Sequence, residues 1–189
     1  MLEQRIQQQF FESADLLYQL AESLSRPLAT GAQMLVDCVT GGGRVLCAGF
    51  ANSSLDARHM ATLMVGRFEQ DRPGLAAWSL DSQGFDGTGD ALVRQVQALG
   101  HPGDLLLIFD AQPVQLDRWT PLLDAAHAQD MSVIALTGGA NDELRGGLLD
   151  TDVQIRVPHA RAARVAEAHR LLSHCLCDAV DLQLLGAAE

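Results

Sequence analysis

The stretch Arg44–His59, RVLCAGFANSSLDARH, decides the fold. RVLCA is a short apolar run without alternation, Gly49 interrupts it, and helical spacing begins at Ser53. A strand apolar on both faces belongs to a sheet covered on both sides, the usual state of parallel sheets. The stretch therefore reads strand, loop, helix, and the loop has the form of an anion cradle. Gly49 lets the backbone turn, and Asn52, Ser53 and Ser54 supply short side-chain donors. The helix N-terminus adds free N–H groups and partial positive charge, for which phosphate is the natural guest. Ordinary capping by Ser53 or Ser54 accounts for the same residues, and the G-x-G-x-x-G spacing of a dinucleotide fingerprint is absent.

The alternation continues outward. Strands are predicted at 44–48, 75–80, 104–109, 132–136 and 153–157, and helices at 53–68, 91–99, 117–128 and 161–185. A Gly/Asp-rich loop is expected at 81–90 and a short helical piece near 142–145. Before Arg44, apolar residues at 2, 6, 10, 14, 17 and 20–21 have a helical period. Pro27 suits the start of a second helix, ended by Gly41-Gly42-Gly43. The expectation is one α/β domain, residues 1–189: a three-layer αβα sandwich with a five-stranded parallel sheet. Its parts are an N-terminal helical hairpin (1–40), the sheet core (44–157) and a long C-terminal helix (161–185).

Composition narrows the function. With 189 residues, 48% hydrophobic, the chain supports one sizeable core. Thirteen basic residues against 24 acidic ones give a net charge of −11, which argues against direct nucleic-acid binding. All the basic residues are arginine, so Schiff-base and P-loop lysine chemistry are excluded. Cys38, Cys47, Cys175 and Cys177 have neither zinc-knuckle nor disulfide spacing and read as buried reduced thiols. Residues 1–10 are too polar for a signal peptide, and no apolar run reaches membrane length. The expected location is the cytoplasm, away from membranes.

In open parallel sheets ligands bind beyond the carboxyl ends of the strands. Gly49, Asn52, Ser53, Ser54, Asp56 and Thr137 are the candidate phosphate- or sugar-binding residues there.

The segments VLCAGFANSSLDARHMA, GRFEQDRPGLAAWSLD, QVQALGHPGDLLLI, DMSVIALTGG and RVPHARAARVAEAHRLLSHCLCD, in this order and spacing, carry a resemblance. The chain resembles a SIS (sugar isomerase) domain of the phosphoheptose isomerase group, and within it the members that associate with the DnaA replication initiator. The resemblance implies homotetramers with N- and C-terminal helices packed between subunits. It implies a site where sedoheptulose 7-phosphate exchanges a proton between a carboxylate base and an imidazole acid. Some members hold zinc at the same place.

Several positions depart from that pattern. The family's Glu four residues after His59 is Leu63, and its Gln eight residues before His174 is Ala166. Only His59 and His174 remain as catalytic remnants and as weak metal candidates. Two imidazoles are too few for zinc, so no cofactor is expected. Where the family reads S-T-S-G-N-S, this chain has Asp110 to Gln115, D-A-Q-P-V-Q. Pro113 removes an N–H and fixes φ. A carboxylate ~4 Å from a phosphate costs on the order of a few kcal/mol at intermediate dielectric. Phe50 and Ala162 replace a further Asn and Thr.

These departures predict loss of catalysis, and the resemblance implies a homotetramer that binds the DnaA initiator, with Leu184 and Leu185 as an apolar contact near the chain end. The alternatives are an isomerase with an altered site, drawing its base from Asp56 or Glu167, and a module that binds another carbohydrate derivative.

Overall fold

Successive residues of a strand face opposite layers, and this chain fills both sides. Val45, Cys47, Leu105, Leu107, Phe109, Ile134, Leu136 and Ile155 enter one core. Leu46, Ala48, Leu106, Ile108, Val133 and Ala135 enter the other. The arrangement is seen in a computed structural model that describes residues 1–80, 90–139 and 143–186. The elements are α1 (Leu2–Thr40), β1 (Val45–Gly49), α2 (Ser54–Val65), β2 (Ala77–Ser79), α3 (Asp90–Leu99), β3 (Leu105–Pro113), α4 (Leu116–His127), β4 (Ser132–Gly138), β5 (Val153–Val157) and α5 (Ala162–Leu185). Short 3-10 turns cover Ala51–Ser53 and Glu143–Gly146.

All strand pairs are parallel, in the order β2-β1-β3-β4-β5. Helices α1, α2 and α5 share the first core, and α3 and α4 the second. The expected three-layer sandwich is therefore present. The order reverses direction between β1 and β3, so the crevice at their carboxyl ends is the place where such a sheet accepts a ligand.

The N-terminal hairpin is a misreading. Residues 2–40 form one helix with Pro27 inside it. An interior proline costs about 3 kcal/mol in lost hydrogen bonding and steric clash. That cost is offset because Leu16, Leu20, Leu24, Ala32, Leu35 and Cys38 all lie buried along α1. Each buried leucine contributes roughly 1.5–3 kcal/mol. Continuous burial outweighs the local stop signal.

Strand ends also shift. β3 runs on through Asp110 to Pro113, with a register irregularity between these two residues, so part of the expected loop is strand. Pro113 is tolerated because β1 pairs with β3 only as far as Phe109. β2 is only three residues long. The Gly/Asp-rich loop at 81–90 lies outside the described residues up to position 89. Cys38, Cys47 and Cys177 are buried free thiols as expected, but Cys175 is exposed. Burial pushes the Cys38 thiol up to about 11 and the Cys177 thiol up to about 12, which keeps both protonated at neutral pH. No described helix is long and apolar enough to cross a membrane.

A buried ion pair ties the segment after α2 to α5. Arg72 Nε donates to Asp181 Oδ1 at 2.5 Å, with both side chains almost fully buried. The same guanidinium donates to Leu63 O at 3.0 Å and Met64 O at 2.8 Å, capping the last turn of α2. Removing one partner strands a charge in the core. Asp181→Ala is expected to lower the unfolding free energy by about 3–5 kcal/mol, measured by urea denaturation at fixed protein concentration.

Candidate functional site

The crevice begins at Gly49. A Cβ there would lie 2.2 Å from Ser53 O, so only glycine lets the chain fold back on itself at this point. Phe50 N donates to Phe109 O at 3.1 Å, and Ala51 takes a positive φ of 48°. A non-glycine residue in that left-handed region is strained and is most often found at functional turns.

The serines do not cap α2. Ser53 is buried, and its Oγ accepts from Ala111 N at 3.0 Å, tying the end of β1 to the end of β3. No side-chain cap is present at the α2 N-terminus. Ser53 N and Ser54 N donate instead to Phe50 O and Ala51 O through the preceding 3-10 turn, so the first N–H groups at this mouth already have internal acceptors. Asn52 is exposed and Ser54 half-buried at this mouth. Thr137 stands beside Asp110 in the β3–β4 register but is fully buried, and its hydroxyl accepts from Gln154 Nε2 at 3.0 Å.

Asp110 is not a rim charge. Its carboxylate is buried and accepts from Gln112 N at 2.9 Å and Trp119 Nε1 at 3.2 Å. Burial raises its pKa, against the opposing effect of these two hydrogen bonds and of Arg118. Phe50 packs on Trp119, ring centroids 5.5 Å apart. This side of the crevice is therefore closed by the chain's own groups, rather than guarded by an exposed charge.

His59 and His174 do meet. Their Nε2 atoms are 3.1 Å apart, α2 supplying one ring and α5 the other. Phe68 lies beside His174, ring centroids 5.4 Å apart. Leu63, one turn beyond His59, packs into the first core, as does Ala166. The His59 pKa is lowered, first by desolvation, then by Arg170 and by His174.

The two carboxylates considered as alternative bases are already engaged. Asp56 is buried and pairs with Arg170 at 3.0 Å. Glu167 accepts from Ser13 Oγ at 2.8 Å and from Arg164 Nη1 at 2.6 Å, so it serves the contact between α1 and α5. Among the described residues no group of three or more His, Cys, Asp or Glu converges, and a two-imidazole donor set does not suit zinc.

Arg170 and Phe68 are the residues that sequence reasoning missed. Helical spacing carried the signal for Arg170: it stands four residues before His174, as Asp56 stands three before His59. Leu184 and Leu185 do not present a joint surface. Leu184 packs against the core, whereas Leu185 is 45% exposed beside Leu182 at 50%.

A family profile described as "SIS domain" matches residues 9–138. A protein named phosphoheptose isomerase from Methylibium petroleiphilum is 50% identical over 197 residues, covering 100% of this chain and 98% of its own. The protein named DnaA initiator-associating protein DiaA from Shigella flexneri is 37% identical, covering 95% of each chain. Among solved structures, a phosphoheptose isomerase from Neisseria gonorrhoeae superposes with a TM-score of 0.86 at 33% identity, covering 96% of this chain and 99% of that one.

Two outcomes are expected. Ala51→Gly relieves the left-handed strain, worth about 1–2 kcal/mol, against an unfolded-state entropy cost of about 0.5–1 kcal/mol, so chemical denaturation is expected to show slight stabilisation. His169 is fully buried, and desolvation lowers its pKa to about 4 from 6.5, so it binds its proton more readily when the chain unfolds. Its contribution is complete above pH 6.5 and is lost as the pH falls towards 4, roughly 3 kcal/mol in all. His169→Leu is expected to flatten that acid limb of the stability curve.

Proposed function

Because this chain belongs to the SIS-domain family, and its relatives include both phosphoheptose isomerases and DiaA, we propose that it is a non-catalytic, homo-oligomeric binding protein that recognises a replication initiator of the DnaA type. The observation that carries this reading is the state of the proton-transfer site. An isomerase needs a free base within reach of the proton it removes. Here the two imidazoles face each other, Leu63 occupies the next turn, and Asp56 and Glu167 are held by Arg170 and Arg164. The hydroxyl-rich anion loop is absent from the end of β3, where Asp110 and Trp119 close the surface.

A scaffold of this kind acts through its exterior. Several copies in one assembly give avidity for several initiator molecules without a strong individual contact. Leu182 and Leu185 are the exposed apolar residues near the end of α5. The acidic surface suits a basic partner rather than nucleic acid itself. The protein is proposed to work in the cytoplasm without zinc or any other cofactor.

The 50% identity to a protein named phosphoheptose isomerase favours one second reading, an isomerase that uses the histidine pair for both proton transfers. Two measurements separate the readings. Purified protein incubated with sedoheptulose 7-phosphate is expected to form no epimeric heptose phosphate, and turnover that disappears in His59→Gln would establish the isomerase instead. Immobilised protein is expected to retain purified DnaA from the same organism, with Leu185→Ala weakening retention about tenfold. No retention by the wild-type protein would remove the initiator-binding reading.

A further inference from the structure

The outward face of α5 is not the polar face that a surface helix normally turns to water. From residue 171 to residue 185 its exposed positions are Leu171, Cys175, Asp178, Leu182, Gln183 and Leu185. The three leucines are 41%, 50% and 45% exposed. Leu171, Cys175, Asp178, Leu182 and Leu185 follow one another at intervals of four, three, four and three. That is the 3.5-residue repeat of a helix seam, about 21 Å long at 1.5 Å per residue. A partner that follows such a stripe over its whole length is itself a helix, because a helix repeats its anchors at the same interval.

One charge interrupts the seam. Asp178 stands between Cys175 and Leu182, and no cation accompanies it on the stripe. The two arginines of α5, Arg164 and Arg170, are held by Glu167 and Asp56. Two copies of this face therefore do not suit one another: pairing them would bury two carboxylates and supply a cation to neither. The exposed first third of α1, with Leu2, Arg5 and Ile6, does not fit either. With Arg5 set against Asp178, the same spacing carries Gln9 and Glu12 onto Leu182 and Leu185 in the parallel sense, and Glu12 onto Leu171 in the antiparallel sense. Gln9 and Glu12 are in addition occupied by Arg161.

We propose that the stripe from Leu171 to Leu185 on α5 is the seat for one amphipathic helix of another protein, which carries an arginine or lysine between apolar anchors and sets that cation against Asp178. The leucines supply the apolar contact. The carboxylate selects among apolar helices, since one polar residue in a seam fixes register and partner at some cost in stability. For the identity of the protein that bears this helix, the inference rests on the initiator-binding reading; for the chemistry of the helix it does not.

The probes are two helical peptides of about three heptads with leucine at the seam positions, alike except for Arg or Glu at the central one. Their binding to the full-length protein is followed by fluorescence anisotropy. Wild type is expected to bind the Arg peptide about tenfold more tightly than the Glu peptide. Asp178→Asn, which keeps the shape of the side chain, is expected to lose that preference, and Asp178→Arg to reverse it. Equal affinity for both peptides, binding of neither, or an unchanged preference in Asp178→Arg would overturn the seat. Sedimentation is expected to show the same assembly for wild type, for Asp178→Arg and for wild type with the Arg peptide. Dissociation in either of the last two would overturn the proposal, because a second copy would then be what covers α5. Purified DnaA keeps the two inferences apart. A reversed peptide preference without DnaA retention leaves the helix seat standing and removes the initiator. DnaA retention that Asp178→Arg does not change, with no peptide preference, does the opposite.

Discussion

One guanidinium organises the face of the sheet on which the crevice opens. Arg72 lies buried in the segment between α2 and β2, donating to the last carbonyls of α2 and to Asp181 on α5. Its contacts fix where α2 ends and which turn of α5 lies beside it. The separation of His59 and His174 is a consequence of that alignment, since the two rings come from the same two helices. Burying such a pair is costly: carbonyls of Leu63, Met64, Gly66 and Pro73 accept from the guanidinium, but among the described residues Asp181 Oδ2 has no hydrogen-bond partner. The fold thus gives up some stability to hold two helices in one fixed register.

At the sheet itself the controlling constraint is steric. The absence of a side chain at Gly49 lets the chain turn back within hydrogen-bonding distance of β3, and Ser53 then bonds to Ala111 N. Those two features fix the shape of the turn. The shape of a crevice and its chemistry are separable: backbone geometry sets the first, and side chains such as Leu63, Asp110 and Ala166 set the second.

Most of the architecture was legible in the sequence, because apolar runs such as DLLLIF and SVIAL identify buried parallel strands on their own. The break at Pro27 was misread because a local stop signal is weighed against burial that only the fold reveals. The ends of β3 were misread for a similar reason: Pro113 tells against a strand unless its neighbouring strand has already ended. The site was only half legible. His59 and His174 stood out by type, but their contact depends on the rotation of two helices about their axes. The Asp56–Arg170 pair spans more than a hundred residues and appears only when those helices meet. Asp110 was given the right location and the wrong direction, since a strand residue at a register irregularity can turn to either face.

The continuous α1 is longer than the body it packs on. Its 39 residues at 1.5 Å per residue extend for about 58 Å. A compact chain of this length has a radius of gyration near 16 Å, about 40 Å across. Nothing before Leu16 on that helix is buried. That stretch is held by polar contacts instead: Gln9, Glu12 and Ser13 meet Arg164, Arg161 and Glu167 at the start of α5. Salt therefore weakens the hold on the first third of α1 before it touches the apolar seam that begins at Leu16.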